Sequence, residues 1–164
     1  MEKDIHIRLA QAADQDAIWQ IIQAIIAKGD TYVFAPDSSR EKMLNFWAGA
    51  NTHCYVAESD NKIVGTFMIK PNFPDQGSHV ANAGYMTAPE HFGKGIGRRM
   101  AEFSLEEARR LGFQAMQFNI VVKTNERALR LWQKLGFVIM GEIPEAFQHP
   151  EKGLVPIYVM WKKL

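Results

Sequence analysis

The sequence predicts an α/β (α+β) fold with a mixed central sheet of about seven strands flanked by about four helices. Apolar residues recur at every second position in some segments, which is typical of strands, and at every third or fourth position in others, which is typical of helices. The segments follow the order β–α–α–β–β–β–α–β–α–β–β, which predicts helices on both faces of the sheet. A glycine-rich run between the fourth strand and the third helix is the most informative local motif.

The first third of the chain reads as one strand and two helices. Ile5–Leu9 alternates as a short strand. Asp14 is a candidate N-cap for a helix that runs to Ile26, because isoleucines recur behind it at helical spacing. An aromatic loop, Thr31–Asp37, separates this helix from a second one over Ser39–Ala48.

The middle of the chain predicts a hairpin, a further strand and a helix. Thr52–Glu58 and Lys62–Lys70 flank a short polar turn, which is typical of a hairpin. Val80–Thr87 is the next strand, and Ile96–Leu111 is an amphipathic helix with basic and acidic residues on its outer face. Gly112 is placed to end that helix.

The last third predicts one more strand, one more helix and a final strand pair. Ala115–Val122 is the strand, and Thr124–Leu135 has the apolar spacing of a helix. Phe137–Glu142 and Val155–Lys162 are expected to pair antiparallel across an irregular loop, Ile143–Gly153.

Composition narrows the class of protein. The chain has 164 residues, 47% hydrophobic and 23% charged, so we expect a single globular domain over residues 1–164. The net charge of +1 argues against a nucleic-acid partner. No apolar run reaches the length of a membrane span and no signal peptide precedes the first strand, so we expect no membrane partner and a cytoplasmic location. Cys54 is expected to be a small buried hydrophobe, and no residue spacing suggests a metal.

Three alternate glycines, Gly93, Gly95 and Gly97, lie between the strand and the amphipathic helix. Such a junction leaves unpaired backbone N–H groups at the positive end of a helix, an arrangement that binds phosphate. A dinucleotide-binding loop has a different glycine spacing, and a P-loop has a Lys-Ser/Thr pair that is absent here. Two alternatives remain on this motif alone: a phosphate-bearing cofactor site, or a turn that connects two elements.

A second motif some thirty residues downstream decides between them. Together the two motifs resemble those of the GCN5-related N-acetyltransferase (GNAT) superfamily. The matching residues are Thr87-Ala88-Pro89, Phe92-Gly93-Lys94-Gly95-Ile96-Gly97, Asn125, Ala128, Lys134, Gly136 and Phe137. Phe92 departs from the Gln or Arg that the family usually has there, and Trp132 stands where a Tyr often serves as general acid.

The resemblance implies an enzyme, an N-acetyltransferase that uses acetyl-CoA as cosubstrate and needs no metal. Its fold would splay the sheet between the fourth and fifth strands, so that unpaired backbone groups bind the pantetheine arm and the glycine loop holds the pyrophosphate. Asn125 would cap its helix and also reach a pantetheine amide. The cofactor-binding residues are then Tyr85, Met86, Thr87, Gly93, Lys94, Gly95, Ile96, Gly97, Arg98 and Asn125.

The acid and base of the reaction are not evident from the sequence. Acetyl transfer requires a neutral amine, a polarised thioester carbonyl and a proton for the departing thiolate. Trp132 cannot supply that proton, and the fourth strand has no carboxylate. Asn82 and Asn119 occupy strand positions where asparagine is disfavoured. Either they satisfy one another or a bulged backbone, or they face the substrate.

A narrower similarity bears on this choice. The chain is similar to acetyltransferases that act on the proline analogue L-azetidine-2-carboxylate, through Asn82-Ala83-Gly84-Tyr85, Phe118–Asn125 and Trp132. This similarity implies that Asn82, Asn119 and Asn125 form an amide-lined site, in which Asn82 and Asn119 have catalytic roles and solvent handles the protons. A backbone N–H near Tyr85 is expected to hold the thioester carbonyl. Asn82 and Asn119 would also contact the acceptor, and we expect Tyr32 and Phe34 of the aromatic loop to shape its pocket.

The function predicted in this way is transfer of an acetyl group from acetyl-CoA to the amine of a small molecule, an amino acid or an amino-acid analogue, directly in a ternary complex. The alternatives are a protein or peptide N-terminal acetyltransferase and a non-catalytic CoA-binding module. His149, in the irregular loop, is a further candidate for acceptor contact. A homodimer is also compatible with the family, with the strand Tyr158–Trp161 as a candidate interface.

Overall fold

A seven-stranded sheet in the order β1-β2-β3-β4-β5-β7-β6 organises the chain, which a computed structural model describes over residues 4–164. The strands are β1 His6–Leu9, β2 His53–Ser59, β3 Lys62–Pro71, β4 Val80–Thr87, β5 Ala115–Val122, β6 Val138–His149 and β7 Gly153–Lys163. The helices are α1 Gln15–Ile26, α2 Arg40–Ala48, α3 Ile96–Arg110 and α4 Glu126–Lys134. The predicted fold class, with its seven strands and four helices, is confirmed for this part of the chain.

The pair β4–β5 is parallel, whereas the other neighbouring strands pair antiparallel. Its register holds only at Val80 with Ala115 and at Ala81 with Met116, after which the two strands part. The predicted splay between the fourth and fifth strands is therefore confirmed. Beyond the last pair, the facing edges of both strands lack each other as hydrogen-bonding partners.

Two large apolar cores stabilise the sheet, one on each face, and a third, small cluster includes Phe147. Helices α1 and α2 pack on one face, where Ile22 of α1 and Trp47 of α2 are fully buried. Helices α3 and α4 cover the other, where Met100, Phe67 and Trp132 belong to one cluster. Because side chains alternate along each strand, neighbouring residues of β3 and β4 contribute to opposite cores.

Asp14 does not cap α1 as predicted. Its carboxylate accepts hydrogen bonds from the Arg8 guanidinium, at 2.7 Å, and from the backbone N–H of Gln11, at 2.7 Å, and makes no side-chain cap bond to the helix. Arg8 also contacts Glu58 of β2 at 2.8 Å. The carboxylate thus joins the start of α1 to Arg8 on the edge strand of the sheet. Arg8 lies outside the few residues from which a helix cap is predicted.

The irregular loop predicted over Ile143–Gly153 is wrong. Strand β6 continues to His149, and a three-residue turn leads into β7. The pairing with β7 shifts between Ile139 and Gly141 and again between Ile143 and Phe147, and Glu145 has a φ of 51°. These bulges break the period of two from which a strand is recognised in sequence.

The candidate dimer interface on Tyr158–Trp161 does not lie on a free edge of the sheet. Strand β7 lies between β5 and β6, so its backbone is paired on both sides. The edge strand at this end of the sheet is β6, where Val138, Ile139 and Met140 are exposed. The homodimer itself stays a prediction. Among the described residues, no helix is both long and apolar enough to cross a membrane.

Candidate active site

The parting of β4 from β5 opens a cleft of about 570 Å³. The segment between α1 and α2 forms one wall, and the glycine loop and the start of α4 form another. Apart from Lys94 and the candidate His149, every residue predicted for the site lines the cleft: Tyr32, Phe34, Asn82, Tyr85, Met86, Thr87, Gly93, Gly95, Ile96, Gly97, Arg98, Asn119 and Asn125.

The glycine loop has the geometry that an anion requires. Gly93 and Gly95 have φ values of 81° and 78°, a region that a residue with a side chain adopts only under strain. A Cβ built on either glycine would meet no atom within 4 Å, so the space in front of the loop is open. Helix α3 starts directly behind it, at Ile96. The backbone N–H groups at this helix end therefore fit a pyrophosphate.

The basic side chains at the glycine loop differ from those expected. Lys94 does not line the cleft, and its Nζ donates to the carbonyl oxygen of Glu90 at 2.9 Å. Arg98 does line it, while its Nε donates to Glu102 at 2.7 Å. Of these two basic residues, only Arg98 is therefore placed at the cleft.

Two cations from distant segments lie over the ring of Phe92. The Lys28 Nζ is 4.7 Å from the ring centroid and the Arg127 guanidinium carbon is 5.8 Å from it, and all three residues line the cleft. Sequence analysis missed both cations. The signal was Phe92 itself, since an aromatic ring that replaces Gln or Arg offers a face to cations.

Alternate residues of β4 direct their backbone N–H and C=O groups towards the cleft. The Val80 carbonyl accepts from Asn72 N–H and the Ala88 N–H donates to Val64, both on the β3 side. Because backbone direction alternates along a strand, Ala83, Tyr85 and Thr87 point their N–H and C=O groups the other way, into the gap.

This alternation corrects the role expected of Met86. Met86 is in register with Thr66 of β3, so its backbone groups face β3 rather than the cofactor side. Met86 nevertheless belongs to the lining of the cleft.

The Tyr32 hydroxyl hydrogen-bonds to the backbone N–H and C=O groups of Tyr85 that face the gap. It donates to the Tyr85 carbonyl oxygen at 2.7 Å and accepts from the Tyr85 N–H at 2.9 Å. Burial raises the pKa of the Tyr32 phenol, which therefore stays neutral at physiological pH. The Tyr85 phenol points away, within 2.6 Å of Ser104 on α3, and burial raises its pKa too. What Tyr85 offers the cleft is thus its backbone.

Asn82 and Asn119 both have partners within the chain. The Asn82 Nδ2 donates to the Gln117 carbonyl at 3.0 Å, one residue beyond the last β4–β5 pair. Asn119 accepts from the Gln117 side chain at 3.0 Å and donates to Asn72 at 2.7 Å. It lies where the β5–β7 register shifts. Both amides line the cleft, and Asn82 also ties the two strands together where they part.

Asn125 and Trp132 place α4 against the cleft. The Asn125 Oδ1 accepts from the Ala128 N–H at 3.3 Å, so the predicted cap is confirmed. Trp132 is buried, with its ring 5.0 Å from that of Tyr85 and 4.6 Å from that of Phe118. The residue in place of the usual Tyr is therefore a packing residue of the core.

Titratable groups at the cleft are few. Among residues 4–164, Asp30 is the one carboxylate that lines it, and His91 is the one imidazole; His149 lies outside its lining. Sequence analysis missed Asp30, although it lies four residues after the end of α1 and directly precedes the aromatic loop. Cys54 is buried and burial raises the pKa of its thiol to about 11, so it behaves as the small hydrophobe predicted.

Residues 19–137 match the sequence model of the acetyltransferase (GNAT) family. The chain therefore belongs to the GNAT family of acetyltransferases, as its two motifs and the splay in its sheet indicate.

Solved structures share the whole fold. A GCN5-related N-acetyltransferase from Kribbella flavida is 38% identical, with a TM-score of 0.92 over 98% of each chain. The yncA acetyltransferase of Salmonella typhimurium, solved with its cofactor acetyl-CoA, is 22% identical, with a TM-score of 0.86 over 98% of this chain and 94% of that one, a likeness that shows the fold alone.

Curated relatives match in part. N-acetyltransferase aca1 of Schizosaccharomyces pombe is 41% identical over 98 residues, which are 59% of this chain and 47% of that protein. The L-amino acid N-acyltransferase MnaT of Escherichia coli is 34% identical over 67 residues, which are 41% of this chain and 38% of that protein. The chain thus spans less than half the length of these relatives.

Proposed function

We propose that this chain is an acetyl-CoA-dependent N-acetyltransferase that acts on the amine of a small molecule, an amino acid or an amino-acid analogue, by direct transfer in a ternary complex. The cleft edge of β4 carries the proposal. Ala83, Tyr85 and Thr87 face a gap that leads to the open glycine loop, so one ligand with an amide-bearing arm and a pyrophosphate fits both features.

On the cofactor side, the backbone provides most of the binding. The N–H groups around Gly93 and Gly95 would hold the pyrophosphate, with Lys28 and Arg127 adding charge. Asn125 uses Oδ1 for its helix cap, which leaves Nδ2 for a pantetheine carbonyl. Acetyl-CoA, when bound, supplies the acetyl group as an activated thioester.

On the acceptor side, the aromatic loop shapes a pocket of small-molecule size. The cleft volume lies within the range of about 300–1,000 Å³ that is usual for such sites. Tyr32, Phe34 and Phe46 supply apolar walls. The Asp30 carboxylate attracts the ammonium form of an amine, and Asn82 and Asn119 offer amides to the rest of the acceptor. A bacterial relative named as an L-amino acid N-acyltransferase supports this acceptor class.

In the reaction, the amine lone pair attacks the thioester carbon, so that a C–N bond forms and the C–S bond breaks. The amine proton leaves to solvent, and the thiolate takes a proton from solvent, because Trp132 is no acid. A backbone N–H on the β4 edge stabilises the charge that develops on the carbonyl oxygen.

A thiol-release assay with acetyl-CoA tests the proposal against a panel of amino acids, proline analogues, polyamines and peptides. We expect thiol release with one or more amino acids, and roughly tenfold slower release when Asn82 or Asn119 is changed to Ala. Near-wild-type rates in both variants would remove the asparagines from the mechanism. Release with peptides alone would indicate the protein acetyltransferase alternative. No thiol release with any member of the panel, together with CoA binding, would indicate the non-catalytic module.

A further inference from the structure

One hydroxyl group satisfies both backbone groups of the residue at the centre of the cleft edge. Tyr32 donates to the Tyr85 carbonyl and accepts from the Tyr85 N–H, at 2.7 and 2.9 Å. A neighbouring strand would normally make these two bonds, but β5 has left the sheet four residues earlier, at Ala81. Tyr32 thus takes the place of the missing strand at this point of β4.

The ring that carries this hydroxyl is held in position. Its partner is Trp47, with ring centroids 6.1 Å apart in an edge-on arrangement. Trp47 is fully buried and its Nε1 donates to Thr66 at 3.0 Å. It lies over Gly84, where a Cβ would come within 3.1 Å of the indole ring. Trp47 therefore packs against both Gly84 and the Tyr32 ring, and this packing places the Tyr32 hydroxyl at Tyr85, the next residue of β4.

We propose that the Tyr32 hydroxyl blocks the backbone of Tyr85 in the cleft until the acyl donor displaces it. The acyl donor hydrogen-bonds to Tyr85 only after this hydroxyl has left. This rests on the proposed function, because it takes the donor to lie along β4. Two partners cannot use the same N–H and C=O in the same direction at once. The hydroxyl bonds stabilise the ligand-free chain and oppose donor binding by the same amount.

Displacement also reaches the acceptor pocket. Thr31, Tyr32, Val33 and Phe34 are consecutive residues of the segment between α1 and α2, and all four line the cleft. Movement of the Tyr32 ring changes the wall that the acceptor meets. The acceptor pocket therefore takes its final shape after the donor has bound, which orders the two binding events.

The direction in which Tyr32→Phe changes the Kd for acetyl-CoA tests the proposal. Tyr32→Phe removes the hydroxyl and keeps the ring, so the ligand-free chain loses the two bonds whereas the complex does not. We expect the Kd for acetyl-CoA, measured by calorimetry, to fall about threefold to tenfold. We expect the melting temperature of the ligand-free chain to fall as well, while that of the saturated complex stays within experimental error of wild type. A Kd that is unchanged or raised would overturn the proposal.

A matched control and a second readout keep the test specific. Tyr55→Phe removes another tyrosine hydroxyl, which donates to Glu107 at 2.7 Å outside the cleft, and we expect it to leave the Kd unchanged. Hydrogen exchange of the Tyr85 amide follows the bond directly: it is expected to be protected in the ligand-free wild type and to exchange faster in Tyr32→Phe. Equal exchange in both would also overturn the proposal. Failure of wild type to bind acetyl-CoA would instead contradict the proposed function.

Discussion

At the scale of single residues, two of the cations that line the cleft come from segments outside the glycine motif. Lys28 follows α1 and Arg127 lies in the first turn of α4, and both lie over the Phe92 ring. The ring supplies a surface on which two flexible cations are held near the open loop. The unusual Phe92 is thus compatible with phosphate binding.

Removal of these cations should weaken binding of CoA through its phosphates. We expect Lys28→Ala and Arg127→Ala each to raise the Kd for CoA roughly threefold to tenfold at low salt, with a smaller effect at high salt because mobile ions screen exposed charges. Binding of pantetheine, which has no pyrophosphate, should not change. Lys62→Ala, at the exposed start of β3, is the control. Equal losses for CoA and pantetheine in calorimetry would contradict the assignment.

Asp30 gives a second test at this scale. Asp30→Asn removes the carboxylate charge from the cleft and keeps the shape of the side chain. We expect the KM for a cationic amine to rise about tenfold with little change in the Kd for acetyl-CoA, since the proposed function places this charge at the acceptor. Steady-state kinetics with the amine from the thiol-release screen measure this. An unchanged KM for the amine would rule out the role of Asp30.

Residues with local partners were predictable and residues with distant partners were not. The Asn125 cap bonds three residues ahead, and Gly112 ends α3 with a φ of 91°, so both are evident within a short window. Tyr32 and Tyr85 are far apart in sequence, and their contact depends on where the sheet parts. Nothing in the order of residues specifies such a contact before the fold is known.

At the scale of elements, β4 is shaped by what packs on each of its faces. A side chain at Gly84 would contact the Trp47 ring at 3.1 Å and Met68 at 3.3 Å. The glycine of the segment 82–85 thus makes room for an indole from α2. The asparagine of the same segment bonds to the departing β5.

Gly84→Ala tests this packing. We expect it to lower the free energy of unfolding by about 1–3 kcal/mol, because the methyl group displaces a buried ring. Gly141→Ala, in β6, is the matched control, since a Cβ there would meet no atom within 4 Å and its φ is not positive. Chemical denaturation measures both. An equal effect of the two substitutions would argue against the role of Gly84.

The elements with regular periodicity were predicted to within a few residues, whereas the irregular hairpin was not. Strands β4 and β5 have the bounds expected from sequence. Strand β6 was cut short because the bulge around Glu145 reverses the alternation of inward and outward residues.

At the scale of the whole molecule, a charged cluster ties the start of α1 to the sheet. The hydrogen bonds from Arg8 hold the pKa of Asp14 below its usual range, and Arg8 also bonds to Glu58. The folded chain therefore binds this proton less readily than the unfolded chain does. Its contribution to stability is complete above about pH 4, the usual Asp pKa, and is lost as the pH falls through the lower folded value.

Asp14→Asn should remove this pH dependence. We expect the variant to lose about 1–2 kcal/mol of unfolding free energy at pH 7 and to approach wild type in acid. Asp37→Asn, an exposed carboxylate in the loop before α2, is expected to change little. Urea denaturation from pH 2 to pH 7 measures both. A loss in Asp14→Asn that is the same at every pH would contradict the account.

A crystal structure of the chain with CoA shows whether the gap between β4 and β5 binds the coenzyme. We expect the pantetheine arm beside Ala83–Thr87 and the pyrophosphate on the N–H groups of Gly93–Gly97. CoA bound elsewhere, or a β4–β5 gap left without it at saturating CoA, would rule out this gap as the coenzyme site.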